Sequence, residues 1–322
     1  MTRRMRPLPL GIDIGTKRVR VAYAERSRAS ETHVQAVISR DLPSDAVNLS
    51  GEIMLPELVG AAIEQAVDDI GARERRCIAS VRDDALRFMR LPDMSTSERV
   101  RAMRYEAERF AGWRFDEDPT VVRAHRVTDE LYAVGAVRRR VLDSRVRALR
   151  IAGLSPKAIE SETFALHRVA AQADAVIDIG CERTRVHLRV VEGQCAFSIP
   201  VGGAHVTRGI AADLGIDEHA AEARKRIVGL AGAGVAERDR FLMLLAGTFE
   251  RLRGHSPLSS VALTGNGSRL AGLAAGIGAA IGCTVGMPVP ETLRGDAYPD
   301  DVLQVAAPDW GLAVGLALWS AA

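Results

Sequence analysis

The residues best suited to chemistry in this sequence are two aspartates, Asp13 and Asp178, each placed two positions before a glycine. They lie in a segment that occurs twice, at a constant offset of 165 residues, and seven of the ten positions from Ile12 to Val21 are identical in the second copy. Carboxylates offer hard oxygens to magnesium, and Gly15 and Gly180 allow backbone N–H groups to approach an anion closely. The two segments therefore predict a pair of phosphate loops.

Each copy has the pattern of a tight β-hairpin, because an apolar strand ends in D-x-G and a second, alternating strand follows a short turn. One D-x-G sequence would be weak evidence, since such a sequence is more often a simple turn. The repeat indicates a duplication. Two hairpins that face each other across a cleft would then form a clamp around a triphosphate.

Composition limits the possible functions. The length of 322 residues suits two domains of about 150 residues each. A formal charge of only +2 and an aromatic content of 4% give no case for nucleic acid as a partner. The four cysteines have no C-x-x-C spacing and the histidines no H-x-x-x-H spacing, which favours reduced thiols in the cytosol and predicts no structural metal site.

The segments that must position the hairpins alternate between strand and helix patterns, which predicts an α/β protein. A capping box, Ser95 with Glu98, begins a helix predicted over 96–111. The uncharged stretch 270–290 is rich in Gly and Ala and contains Pro288, so we interpret it as a core helix and strand and not as a membrane span. In the first half, strands are predicted at 77–81, 86–91, 121–127 and 131–137 and helices at 53–70 and 138–152; in the second half, strands at 195–201 and 261–264 and helices at 204–214, 217–228, 236–253 and 310–319.

One predicted helix is strongly basic. Between Arg138 and Arg150 it carries six arginines against one acid, Asp143. Such a run is usually a solvated face, although a patch that meets anionic lipid or an acidic partner remains open.

The duplicated hairpin, a later strand that ends in LTGNGS, and Glu222 with Lys225 as E-x-x-K together resemble the actin-like ATPase fold. Within that superfamily the chain most resembles the PilM family of type IV pilus assembly, through LGIDIGTKRVRVAYAE, RLPDMSTSERVRAMRYEAERFAGW, VGAVRRRVLDSRVRALRIAGLSPKAIESETFAL and IPVGGAHVTRGIAADLGIDEHAAEARK. The resemblance implies two related domains that flank a nucleotide cleft, with a small inserted subdomain of the type shared with FtsA. The implied division is 1–82 for the first part of the first domain, 83–153 for the insertion, 154–175 for the connection, 176–305 for the second domain and 306–322 for a helix packing back at the junction.

The resemblance also implies ATP and Mg²⁺ as ligands, with Asp13 and Asp178 as the catalytic and metal-binding residues. It assigns Gly15, Thr16 and Arg20 to the first phosphate loop, Gly180 to the second, Glu222 and Lys225 to the ribose and adenine, and Gly265, Gly267 and Ser268 to the adenosine side.

Some residues depart from the family pattern. Cys181 and Glu182 stand where relatives tend to have small or hydroxylated residues, so a carboxylate is expected to repel the phosphate. The region 133–137, searched for a residue that orients water, is apolar, which predicts slow or absent hydrolysis. The Pro that the family tends to carry after the helix 96–111 is replaced by Gly112, Trp113 and Arg114.

The partner that the resemblance implies is the cytoplasmic tail of a single-pass, PilN-like membrane protein, with pilus motor ATPases as further candidates. The chain would then be cytoplasmic and peripheral to the inner membrane through its partners. We expect the tail near the helix 96–111 and Trp113, although packing of Phe110 and Trp113 into their own core is an equal alternative. Competing functions are a metabolic kinase of the same fold, an FtsA-like filament anchor and a type II secretion component.

Overall fold

The computed structural model describes residues 5–27, 32–189, 192–253, 258–286 and 300–319. Its strands form three sheets. The first sheet contains β1 (Arg6–Pro7), β2 (Leu10–Ile14), β3 (Arg18–Arg26), β4 (Thr32–Asp41), β5 (Arg76–Val81) and β9 (Ser155–Ser161). The second contains β10 (Ala175–Ile179), β11 (Thr184–Leu188), β13 (Ala196–Ile199), β14 (Ser260–Thr264) and β15 (Thr284–Gly286), and the third β6 (Leu86–Arg90), β7 (Thr120–Arg126), β8 (Leu131–Arg138) and β12 (Gly193–Gln194).

The first two sheets repeat one topology. In the first, the order β4-β3-β2-β5-β9 has two antiparallel pairings followed by two parallel ones. In the second, β13-β11-β10-β14-β15 has the same sequence of pairings. The duplication seen in the sequence therefore extends from the hairpin to each whole sheet.

Both predicted hairpins are confirmed, and their turns close in the same way. The N–H of Gly15 donates to the carbonyl of Arg18 at 2.9 Å, and the N–H of Gly180 donates to the carbonyl of Arg183 at 3.0 Å. All five residues of β2 are buried, which explains its uninterrupted apolar pattern apart from Asp13.

Two helices cover one face of the first sheet. Helix α1 (Pro56–Ile70) begins with Pro at its first turn, ends at Gly71 in the left-handed region (φ 68°), and buries Val59, Ile63 and Val67. Helix α3 (Arg139–Ile151) packs beside it and adds Ala148 and Leu149 to the same core.

Helix α3 lies within 83–153, the range predicted as an insertion, but its buried face belongs to the first sheet. The domain boundaries stay a prediction, and this packing favours an insertion that ends before Arg139. Two exposed arginines of the basic helix form ion pairs with other parts of the first half: Arg140 pairs with Glu52, and Arg147 pairs with Glu57.

The third sheet is the inserted one. Helix α2 (Thr96–Ala111) packs on β7 and β8, and its capping box at Ser95 and Glu98 is confirmed. The strand β12 comes from the second half of the chain and pairs with β6, with Gly193 opposite Phe88. The opposite edge of this sheet is β7.

In the second half, α7 (Val235–Arg253) and α8 (Leu273–Ile281) pack on the second sheet, whereas α5 (Gly203–Leu214) packs on α7 and α6 (Glu218–Val228) packs on α5. The uncharged stretch forms a core helix and a strand, as predicted, because Leu273, Ile277 and Ile281 of α8 are buried against α7. Residues 287–290 of that stretch lie outside the described residues.

Two helices cross at the junction of the halves: α4 (Glu162–Val169) and α9 (Asp300–Ala317). Their backbones come so close that a β-carbon on Gly315 would lie 2.0 Å from the carbonyl oxygen of Ala165. Helix α9 also touches β2, where a β-carbon on Gly11 would lie 1.9 Å from the carbonyl oxygen of Ala313. None of the helices within the described residues is long and apolar enough to cross a membrane.

Candidate functional site

The loop after β14 contacts both hairpins, which brings their turns to one place; the space between the two turns is the cleft. Arg20 links the first hairpin to that loop, because its Nη1 lies 3.1 Å from Asp13 Oδ2 and its Nη2 lies 3.3 Å from Asn266 Oδ1. A β-carbon on Gly265 would lie 2.5 Å from Oδ1 of Asp178, so the same loop also touches the second hairpin. The structure therefore brings Asp13 and Asp178 to a common site.

The two turns offer matching donors to a ligand. In the part of the chain that the structure describes, the backbone N–H groups of Thr16, Lys17, Cys181 and Glu182 donate to no protein acceptor. Successive free N–H groups after a glycine make a concave site for an anion. Both halves therefore present the same turn with two unused backbone donors.

The two aspartates differ in their partners. Burial raises the pKa of Asp13, although the adjacent Arg20 acts in the opposite direction. The carboxylate of Asp178 makes no hydrogen bond or ion pair with the described residues, and burial together with the nearby Glu162 raises its pKa to about 6. An unpaired carboxylate of this kind is suited to a cation, which would favour its ionised form.

Glu162 is the site residue that sequence reasoning missed. It begins α4 directly after β9, and it pairs with Arg185 at 3.1 Å. Arg185 stands opposite Asp178 in the hairpin, just as Arg20 stands opposite Asp13. The region 133–137 that we searched for such a residue belongs to β8, in the inserted sheet.

Sequence reasoning missed Glu162 because it missed β9, which delivers that residue to the cleft. The sequence did contain one indication of the start of α4, which is Ser161. Its side chain caps the helix by accepting a hydrogen bond from the N–H of Phe164 at 3.4 Å. An acid directly after a cap residue, one helix before the second hairpin, would have indicated it.

The loop after β14 is built on glycines for steric reasons. Gly265 has φ 80°, and a β-carbon on Gly267 would lie 2.2 Å from a methyl carbon of Ile179. Ser268 is 1% exposed and donates its hydroxyl to the carbonyl of Gly265 at 2.6 Å, so it stabilises the loop and does not offer that hydroxyl to the cleft.

Glu222 and Lys225 form the ion pair that their spacing predicts, at 2.6 Å. Lys225 also donates to the carbonyl of Gly203 at 3.0 Å, and Glu222 accepts from the hydroxyl of Thr207 at 2.6 Å. Because the N–H of Gly203 donates to the carbonyl of Gly180, the pair holds the start of α5 against the second turn. A role in holding a ribose remains a prediction.

Glu182 has a partner that the sequence did not reveal. Arg208 of α5 lies 3.1 Å from its carboxylate. Burial alone would raise the pKa of Glu182, but the hydrogen bond and charge of Arg208 lower it overall. The expected repulsion of a phosphate is therefore partly neutralised by Arg208.

The donor set fits magnesium held together with a phosphate better than magnesium held by the protein alone. Within the described residues there is no group of three or more His, Cys, Asp or Glu side chains that could hold a metal. Mg²⁺ usually takes one or two carboxylates together with phosphate oxygens and water. Asp13 and Asp178 meet that requirement.

A second surface lies on the inserted sheet. A groove of about 730 Å³ runs between α2 and the edge strand β7. It is lined by the apolar or aromatic side chains of Val100, Met103 and Tyr132 and by five arginines: Arg99, Arg104, Arg123, Arg126 and Arg139.

The two aromatic residues that we expected at the partner surface serve the core instead. Phe110 and Trp113 pack against the core of the inserted sheet, and the indole N–H of Trp113 donates to Thr120 at 2.9 Å.

Two sheets of one topology, with hairpin turns facing a shared cleft, define an actin-like ATPase fold. The structure of the ethanolamine utilization protein EutJ from Carboxydothermus hydrogenoformans shares this fold, with a TM-score of 0.64 at 15% identity over 98% of this chain and 90% of that one. A family model described as type IV pilus assembly protein PilM matches residues 11–237. The chain therefore belongs to the PilM family.

A solved PilM-PilN type IV pilus biogenesis complex is also similar to this chain. The match has a TM-score of 0.84 and 26% identity, and it covers 96% of this chain and 97% of that one. No curated protein matches the chain by sequence.

Proposed function

We propose that this chain is a scaffold of the type IV pilus machinery. It binds ATP with Mg²⁺ between its two halves and binds the cytoplasmic tail of a PilN-like membrane protein through its inserted sheet. The partner holds it at the cytoplasmic face of the inner membrane. Membership of the PilM family and the similarity to a PilM-PilN complex support this scaffold over a metabolic kinase or a secretion component.

The observation that carries the nucleotide part is the pair of matching turns. Free N–H groups of Thr16 and Lys17 on one side, and of Cys181 and Glu182 on the other, suit a chain of phosphates. Asp13 and Asp178 would hold Mg²⁺, whose charge would offset that of the phosphates.

Turnover is proposed to be slow because Glu162, a carboxylate near the turns, is already paired with Arg185 at 3.1 Å. A carboxylate oxygen that already accepts from a guanidinium is less available to position an attacking water. Bound ATP would therefore be hydrolysed slowly.

Thermal unfolding with Mg-ATP, with Mg-ADP and without nucleotide tests this part. Asp13→Asn should abolish the stabilisation, whereas Asp143→Asn on the exposed face of α3 should retain it. At a hundredfold excess over Kd, binding raises the free energy of unfolding by about 2.7 kcal/mol. Equal stabilisation of the wild type and Asp13→Asn would exclude binding at this site.

The observation that carries the partner part is the groove along β7. An edge strand offers unpaired backbone groups to an extended peptide. Val100 and Met103, which line the groove, can contact apolar side chains of such a peptide. The arginines can donate to backbone carbonyls or carboxylates of the same peptide. We therefore propose that an extended segment of the PilN-like tail lies in this groove.

A matched pair on α2 tests the groove. Arg104 lines it, whereas Arg101 is exposed on the same helix and does not. With a labelled peptide of the PilN-like tail, Arg104→Ala should weaken binding by about tenfold in fluorescence anisotropy. Arg101→Ala should bind as the wild type does, and equal losses in both variants would indicate only a general effect of charge.

A further inference from the structure

Arg145 of α3 is the largest of the fully buried side chains among the described residues. It is 1% exposed, and its Nε and Nη1 atoms have no hydrogen-bond partner in the part of the chain that the structure describes. From the sequence it is one of the arginines of a solvated helix face. A buried guanidinium without acceptors is costly, so the missing group is expected to be an anion.

A second guanidinium points to the same place. A β-carbon on Gly51 would lie 3.1 Å from Nη2 of Arg145 and 3.4 Å from Nε of Arg82. Gly51 has φ 86°, and its lack of a side chain leaves room for both arginines. Arg82 also donates to the carbonyl of Leu49, which fixes its direction. Glu162 acts electrostatically on both arginines, but neither forms an ion pair with a carboxylate among the described residues. The two guanidinium groups together can therefore take an anion.

The nearby carboxylates are already matched to other arginines. Asp13 pairs with Arg20 and Glu162 pairs with Arg185, each at 3.1 Å. Asp84 is exposed and forms no ion pair among the described residues.

Burial lowers the pKa of Arg82 to about 10; the charges of Arg185 and Arg145 act in the same direction, and those of Glu162 and Asp84 act against it. Arg145 also interacts electrostatically with both Glu162 and Asp13, which places its guanidinium near the first hairpin.

We propose that Arg82 and Arg145 form a phosphate site beside the cleft, which takes either the terminal phosphate of a nucleoside triphosphate or free inorganic phosphate. The proposal rests on the proposed nucleotide function. Guanidinium groups bind phosphate through two parallel N–H donors and keep their charge when buried, which suits them to this task. With a diphosphate bound, the two arginines would stay unpaired, so the site discriminates ATP from ADP.

Calorimetric titration of Mg-ATP and Mg-ADP into the wild type, Arg145→Met and Arg82→Met tests the proposal. Methionine keeps an unbranched apolar side chain in a buried position. Each variant should bind ATP at least about tenfold more weakly and bind ADP within about twofold of the wild type. The matched control is Arg147→Met, because Arg147 is exposed on the same helix and pairs with Glu57.

Equal weakening of ATP and ADP, or no change in either, would overturn the phosphate site while leaving nucleotide binding intact. Titration of inorganic phosphate in the presence of Mg-ADP shows whether the site takes free phosphate or only the terminal phosphate of ATP. Binding to the wild type and not to Arg145→Met assigns the site to free phosphate as well, whereas no binding assigns it to the intact triphosphate alone.

If neither nucleotide binds the wild type, the proposed nucleotide function fails. The phosphate site is then tested on its own, by thermal unfolding in the presence of inorganic phosphate. Stabilisation of the wild type but not of Arg145→Met supports it, and no stabilisation of either overturns it. The ligand-free Arg145→Met protein should unfold at the same or a higher temperature than the wild type. A large decrease together with an unchanged preference for ATP over ADP would show that Arg145 is only structural.

Discussion

Asp83 lies after β5 in a buried cluster that joins all three sheets. The N–H and the hydroxyl of Thr163 each donate to its Oδ2 at 2.6 Å. The same hydroxyl lies 2.8 Å from Nδ1 of His187, which is fully buried. Burial, with the charge of nearby Glu162, raises the pKa of Asp83 from 3.8 to about 7 in spite of these hydrogen bonds.

A raised carboxyl pKa means that the folded state holds its proton more tightly than the unfolded state. Its contribution to stability is therefore complete below pH 3.8 and is lost as the pH rises to about 7. Between about pH 5 and about pH 8, the wild type should lose roughly 2 kcal/mol more of its free energy of unfolding than Asp83→Asn does.

Urea unfolding of both proteins at the two pH values measures that difference. His187 titrates in the opposite sense, because burial lowers its pKa, so only the comparison between the variants isolates Asp83. Asp143→Asn, on an exposed face, should follow the wild type, and parallel pH profiles for Asp83→Asn and the wild type would contradict the prediction.

Single residues could be predicted where a repeated motif fixed their position. Asp13 and Asp178 are examples, because the repeat placed them at equivalent points of two hairpins. Glu162 and Arg145 were missed, since their positions depend on which elements meet: Glu162 follows a strand we did not predict, and Arg145 is buried on a helix whose other arginines are more exposed.

The crossing of α4 and α9 depends on close backbone contact. A β-carbon on Gly315 would lie 2.0 Å from the carbonyl oxygen of Ala165, so Gly315→Ala forces the helices apart. We expect it to lower the free energy of unfolding by about 3 kcal/mol. Gly247 in α7 has open space, with the nearest atom at 4.0 Å, so Gly247→Ala should raise stability by about 0.5 to 1 kcal/mol.

Chemical unfolding of both variants measures these changes. Both variants replace a helical glycine by alanine, but the expected changes in the free energy of unfolding have opposite signs. Helix propensity alone therefore cannot produce both results. A Gly315→Ala protein as stable as the wild type would show that the crossing tolerates separation.

Elements with strong local signals were predicted well. Helix α2 has its capping box and an apolar face, and α1 ends at a left-handed glycine. Strand β9 was missed because its sequence, SPKAIES, contains a proline and a lysine and lacks alternation. It is a strand through its parallel pairing with β5, which is a tertiary contact.

The two-part architecture followed from the duplication alone, because two copies of one hairpin imply two copies of the sheet around it. The contacts that join the inserted sheet and the two halves could not be predicted in this way. Strand β12 has only two residues, and α3 resembles any basic surface helix until it is packed on α1. Such contacts are decided by burial between distant segments, which a local pattern does not record.

The pairing of β12 with β6 has a mechanical result for the cleft. The inserted sheet is bonded to the second half through Gly193 and Phe88, and to the first half through Asp118 and Arg140, which lie 3.3 Å apart. A rigid rotation that widens the cleft cannot leave both attachments unchanged. The separation of the two halves and the orientation of the open edge at β7 are therefore geometrically linked.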